Sequence, residues 1–237
     1  MCLAPYAEVP ATRRTLGIAR KRSTLLLASA GRSGLPFFLG PDWSQTVAEP
    51  QPATSAALAV VVDLDSEELF DYPFIYLIEP GGISLSLAEE ENLRKYCLNG
   101  GFLMVDDFWG QREWDDFEWQ MQRVFPGRKY TELELDHPIF SSVFKLSKKP
   151  QVPSLDAALY GRSMGVTYEY RGGTGEETPH YRAWFDDKGR MMCIACLNTD
   201  LGDGWEREGE NHWYFKEFAE KWAYPMGINI VFYAMTH

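Results

Sequence analysis

Over residues 58–64 the chain reads Leu-Ala-Val-Val-Val-Asp-Leu, a β-branched apolar run of the kind that makes a buried strand. Residues 74–78, Phe-Ile-Tyr-Leu-Ile, form a second such run, which stops abruptly at Glu79-Pro80-Gly81-Gly82. The period then changes. Ser86 can cap a helix, Glu89 three residues on completes a capping box, and Leu87, Leu93 and Tyr96 recur as an apolar stripe. Asn99-Gly100-Gly101 supplies a left-handed stop. A third strand over 102–105 ends at Asp106-Asp107-Phe108-Trp109-Gly110, and a helix over about 113–124 follows, with Trp114, Phe117, Met121 and Val124 on one side.

Strand, loop and helix alternating in this way predict right-handed βαβ units and a parallel sheet. Farther along, 166–170 and 181–185 read as strands, and Asp186-Asp187-Lys188-Gly189 as a hairpin turn into a strand over 191–197. A helix near 211–222 and an apolar one from about Pro225 to Ala234 close the chain, the proline suiting a first helical turn. Asn229 interrupts that last apolar stretch and needs a partner if buried. Residues 1–55 differ in kind: they hold six of the fourteen prolines and sustain no period. They are expected to be a disordered tail or leader ahead of one α/β domain spanning 56–237.

Charge sharpens that division. The net charge of −11 splits into +3 for residues 1–55 and −14 for the rest, and a domain so acidic repels a phosphate backbone, so no nucleic-acid partner is expected. No run of 18 apolar residues occurs, so no transmembrane segment is expected. Cys193 and Cys196 form a lone CxxC inside a strand, where positions three apart face opposite ways and cannot share a metal; they read as core cysteines.

In parallel sheets ligands gather at the carboxyl ends of the strands, and the loops expected there carry the unusual chemistry. Glu79 stands beside Gly81 and Gly82, which let a backbone approach a ligand closely. Asp106 and Asp107 are adjacent carboxylates with Trp109 close by, a repulsive pairing that usually has a purpose. Asn198, Asp200, Asp203 and Trp205 crowd another loop, whose spacing does not fit an EF-hand. These residues are the candidate ligand contacts. His137, in Asp-His-Pro, reads first as a turn residue but could join Asp106 and Asp107 as a catalytic group. Asp107, His137, His180 and Asp200 are the candidate metal ligands. No cofactor is expected beyond, at most, a divalent cation that such a set would accept.

Several segments together carry a specific likeness. They are the run from Tyr72 to Gly82, the run from Leu93 to Asp107, Arg123-Val-Phe-Pro126, Leu135-Asp-His-Pro-Ile-Phe140, Asn198-Thr-Asp-Leu-Gly-Asp-Gly-Trp205, and the run from Gly227 to Ala234. They resemble, in order and over nearly all of 57–237, the bacterial DUF4159 family, whose function is unknown. The resemblance implies a flavodoxin-like three-layer sandwich with a mostly parallel sheet, similar to class I glutamine amidotransferases and the ThuA-like group. Those amidotransferases carry a nucleophilic Cys in the turn that here holds Asp106 and Asp107. A carboxylate cannot replace that thiolate, so glutamine hydrolysis is not expected. By analogy, the resemblance implies an exported, periplasmic setting with a small molecule or an envelope protein as partner. Three readings follow: a ligand- or partner-binding domain without the nucleophilic Cys, a metal-assisted hydrolase using a carboxylate and histidine cluster, or a purely structural role in an envelope complex.

Overall fold

The computed structural model describes residues 26–29 and 59–237 of the chain. Seven strands form one mixed sheet: β1 (Leu26–Ser29), β2 (Ala59–Val62), β3 (Phe74–Ile78), β4 (Phe102–Phe108), β5 (Thr131–Glu132), β6 (His180–Phe185) and β7 (Met191–Leu197), in spatial order β2-β1-β3-β4-β7-β6-β5. β3, β4 and β7 run parallel, and every other pairing is antiparallel. The expectation of a mostly parallel sheet thus holds only at the centre. A parallel pair needs a long crossover, and helix α1 (Leu87–Leu98) supplies one between β3 and β4. The turn joining β6 to β7 closes with Asp186 O accepting from Gly189 N at 3.1 Å, and so short a connection permits only an antiparallel pair.

Both faces of the sheet are covered. α1 and α2 (Gly110–Val124) bury Leu93, Tyr96, Trp114, Phe117 and Met121 against Ile75, Leu103 and Val105. On the other face α3 (Leu155–Gly161), α4 (Leu201–Glu206) and the C-terminal helix pack on Phe74, Tyr76, Met104 and Ile194. The result is a layered α/β/α arrangement. Cys193 and Cys196 fall in opposite apolar clusters, as strand alternation requires. The α1 capping box forms: Ser86 Oγ accepts from Glu89 N at 3.3 Å, and the Glu89 carboxylate accepts from Ser86 N at 2.7 Å. No helix among the described residues is long and apolar enough to cross a membrane.

Three expectations need correction. Residues 166–170 form no strand; left-handed glycines at 165 and 172 flank the segment and turn the chain on either side of it. The tract 198–205 is not all loop, because Asp200 caps α4 by accepting from Asp203 N at 2.7 Å. The last two helices are one. α5 (His212–Tyr214) continues through π-helical Phe215–Ala223 into α6 (Tyr224–Thr236). Pro225 has no N–H to give to an α-helical ladder, and just before it Tyr224 N donates five residues back to Ala219 O, a widened turn that carries the helix past the proline.

Asn229 finds the partners expected of it. Its Oδ1 accepts from Val143 N at 3.0 Å and Phe144 N at 2.8 Å, and its Nδ2 donates to Phe144 O at 2.8 Å. The expectation for residues 1–55 lies outside the described residues, except that Leu26–Ser29 form β1 within the sheet.

Candidate functional site

Three non-glycine residues among those described have left-handed backbones: Glu79 at φ 51°, Asp107 at 55° and Asn198 at 62°. Each stands at the carboxyl end of one of the three parallel strands, which are neighbours in the sheet. Such conformations cost about 1–3 kcal/mol apiece, less for Asn and Asp, and persist only where surrounding structure enforces them. In β4 the cause is a bulge: pairing with β7 is regular to Val105 opposite Ala195 and shifts before Phe108 opposite Leu197. Backbone bonds lace the three turns together. Glu79 N donates to Asp106 O at 3.1 Å, Asp107 N to Thr199 O at 3.1 Å, and Asn198 N to Phe108 O at 2.9 Å.

Glu79→Gly isolates the strain at one of these positions. Glycine adopts this φ without penalty, and the change is expected to raise folding stability by about 1 kcal/mol in urea denaturation. A neutral or destabilising result would mean that the Glu79 side chain contributes more than its backbone costs.

The bulge carries its two carboxylates in different directions. Asp106 is fully buried; its Oδ2 accepts from Tyr76 Oη at 2.8 Å and from Gly202 N at 3.1 Å, while its Oδ1 has no partner among the described residues. Asp107 reaches the edge of the sheet, where Oδ1 accepts from Trp109 Nε1 at 3.1 Å and from Arg171 Nη2 at 3.1 Å. There it meets Glu169 and Asp200, and one ligand atom from each of the three carboxylates lies within 4.8 Å of the others. The residues come from three separate segments.

Glu169 is held by Ser154 N, which donates to its Oε1 at 2.6 Å, and by Arg171, which bonds Oε2 through Nε and Nη2 at 3.2 and 3.0 Å. Asp200 follows β7, and its backbone N donates to Val152 O at 2.7 Å. Val152 N in turn donates to Thr199 Oγ1 at 3.0 Å, so the 150–155 segment is clipped along the edge of the site.

Burial sets the electrostatics. Loss of water pushes the Asp107 carboxyl up to about 7, with Arg171 opposing the rise and Glu169 adding to it. Burial drives Asp200 well above the ordinary carboxylate range, reinforced by Asp107, Asp203 and Asp106. Asp106 is raised in the same way, although its bond from Tyr76 opposes the shift. The Arg171 guanidinium thus serves Asp107 and Glu169, while Asp106, Asp200 and Asp203 lie in overlapping fields.

Of the other candidates, Gly81 packs against α2, where an added Cβ would lie 2.7 Å from Glu113 Cδ, whereas Gly82 at φ 77° has open space beside it. Trp109 is buried with its indole N–H on Asp107. Asn198 is wholly internal: Oδ1 accepts from Gly110 N at 2.8 Å, and Nδ2 donates to Gly175 O and Thr178 O, each at 2.6 Å. Asp203 Oδ2 accepts from Leu155 N at 2.9 Å, and its Oδ1 pairs with Arg207 at 3.4 Å. Trp205 lies in the core, tilted over Tyr76 at 6.1 Å.

The histidines do not join the carboxylates. His137 caps a 3-10 turn, with Nδ1 accepting from Ile139 N at 3.3 Å, and its ring packs near Tyr233; burial holds its pKa down. His180 Nδ1 contacts Glu132 Oε2 at 3.2 Å, beside Lys149 and Arg182 on that same carboxylate. Among the described residues the only group of three or more metal-ligating side chains is the carboxylate trio.

Glu169 and Arg171 were not foreseen from the sequence. The usable signal was Arg171-Gly172-Gly173-Thr174-Gly175, a glycine-rich stretch that marks a loop and argues against the strand expected just before it.

The turn after β4 leads directly into α2, and three amides there are engaged. Trp109 N donates to Glu113 Oε2, Gly110 N to Asn198 Oδ1 and Gln111 N to Thr174 O. An oxyanion would find no free donor in these three amides.

The family model described as Domain of unknown function (DUF4159) matches residues 41–235. No curated protein matches the chain.

Proposed function

We infer, for a chain that belongs to the DUF4159 family, a ligand-binding domain whose site takes a divalent cation, or a ligand that presents one, at the carboxyl edge of β3, β4 and β7. The observation that carries this reading is the convergence of Asp107, Glu169 and Asp200 within 4.8 Å. Carboxylates kept this close and poorly solvated must hold protons or share positive charge, and Arg171 supplies one charge to two of the three. An all-oxygen set suits a hard ion such as Mg2+, Ca2+ or Mn2+. The buried Asp106 carboxyl, whose Oδ1 has no partner among the described residues, lies in the fields of Asp107 and Asp200. Binding is favoured over hydrolysis because the turn after β4 has no thiol, its Trp109, Gly110 and Gln111 amides are engaged, and both candidate histidines serve other elements.

The layered arrangement and its parallel centre support placing the domain with the flavodoxin-like, amidotransferase-like three-layer sandwiches. The DUF4159 resemblance supports an exported, envelope-associated setting with a small-molecule or protein partner. Neither assignment is needed for the cation site.

Thermal unfolding at pH 8 tests the site. Protein stripped with EDTA and then given millimolar CaCl2, MgCl2 or MnCl2 is expected to gain several degrees in Tm with at least one ion, since a ligand that binds only the folded state stabilises it. Glu169→Gln is expected to lose most of that gain. If none of the three salts raises the Tm of the unmodified protein, the cation reading is wrong.

A further inference from the structure

We propose that Arg171 is a displaceable counter-ion, its guanidinium occupying the position that an incoming cation takes. The inference rests on the cation reading of the site and adds to it how the site is kept closed and what opens it.

The guanidinium bridges two of the three carboxylates through Nη2, at 3.1 Å from Asp107 Oδ1 and 3.0 Å from Glu169 Oε2. It neutralises one charge where several accumulate, and the buried Oδ1 of Asp106 still has no partner. Arg171 thus fills the site without saturating it. It is also the outermost of the group: its side chain is 33% exposed, against 13% for Asp107 and 11% for Glu169. An occupant at the mouth can leave without unpacking the core.

The chain beyond it can absorb that movement. Gly172, the next residue, has φ of 80° with nothing near the space a side chain would fill, and the chain is held from Gly173 on, whose N donates to Glu176 Oε1 at 3.0 Å. Downstream the loop is anchored again, by Asn198 Nδ2 on Gly175 O and Thr178 O. A swing would therefore be confined to the residues around Arg171. A divalent ion brings two charges to carboxylates that Arg171 serves with one, which sets the direction of exchange.

Calorimetric titration of the full chain with CaCl2 and with MnCl2, at pH 8 and low salt, reads the competition. Arg171→Met keeps most of the side-chain stem but removes the charge, and it is expected to bind at least tenfold more tightly than the unmodified protein. Arg171→Lys keeps a charge without the two-pronged contact and is expected to fall between them. Circular dichroism establishes that each variant is folded, and Lys alone decides the question if Met is not. Equal or weaker binding in the folded variants overturns the counter-ion role while leaving the site intact. No binding by any of the three proteins overturns the site and the counter-ion role together.

Discussion

Cation-free protein is expected to be most stable near pH 4 and to lose several kcal/mol of folding free energy by pH 8. Asp107 dominates this expectation. Its pKa rises from 3.8 to about 7 on folding because burial disfavours the charged form, so the folded state holds the proton more tightly than the unfolded chain. Its contribution is complete below about 3.8 and disappears as the pH climbs through about 7. At roughly 1.4 kcal/mol per unit, the rise corresponds to up to about 4 kcal/mol. Asp200 and Asp106 are shifted in the same direction and add to the loss.

The acid side is bounded by groups of opposite sign. Burial pushes Glu132 up, but hydrogen bonds from His180 and Lys149 outweigh it and hold the carboxyl down to about 2. Its stabilisation is present above the ordinary Glu range and disappears as the pH falls toward 2. His137, lowered by burial, likewise loses stability on acidification, over the range below its ordinary value. Urea denaturation at half-unit intervals from pH 2.5 to 8.5, with EDTA present, would trace the resulting maximum. Asp107→Asn keeps an acceptor for Trp109 and Arg171 but has nothing to ionise, and should flatten the alkaline side by about 2 kcal/mol or more. An unmodified protein as stable at pH 8 as at pH 4 would contradict the electrostatic account.

Asn198→Ala is expected to cost about 3–5 kcal/mol, the largest effect of any single polar truncation at this edge of the sheet. Removing the amide leaves the Gly110 N–H and the Gly175 and Thr178 carbonyls without their partner in a buried region. It also puts alanine at φ 62°, which asparagine tolerates better. Asn198 joins the end of β7, the start of α2 and the loop following Arg171, so its loss should loosen all three. Urea denaturation measures the cost, and hydrogen exchange of the Gly110 amide locates it. A change below about 1 kcal/mol would show that water replaces these bonds without penalty.

How much of this could be read beforehand depended on whether the information was local. The capping box at Ser86 and Glu89, the apolar face of α2 and the β6–β7 turn are written in consecutive residues, and they form as their spacing predicts. Pairing between distant segments is not encoded in periodicity. Nothing near Leu26–Ser29 announces that it will lie between β2 and β3, and nothing in 58–64 says that β2 will take an outer position.

The site divided along the same line. Glu79, Asp107 and Asp200 were visible as odd residues at strand ends. Glu169 and Arg171 arrive from a loop whose Tyr-Glu-Tyr-Arg alternation mimics a strand. The histidines misled because their residue type suits a metal, whereas their neighbours Ile139 and Glu132 give them structural work.

The π-helical stretch Phe215–Ala223 gives the C-terminal helix a rotational phase that an unbroken α-helix would not have. Residues after it are turned by an increment set by the wider winding, and that increment aims Asn229 at the 143–144 backbone. Deleting one residue from the stretch would let the helix tighten while spinning everything downstream by about 100°. The deletion would then present a different row of side chains to the sheet. The length of this stretch is therefore a timing element for the fold, and its residue count matters more than the identity of any one residue on its outer surface.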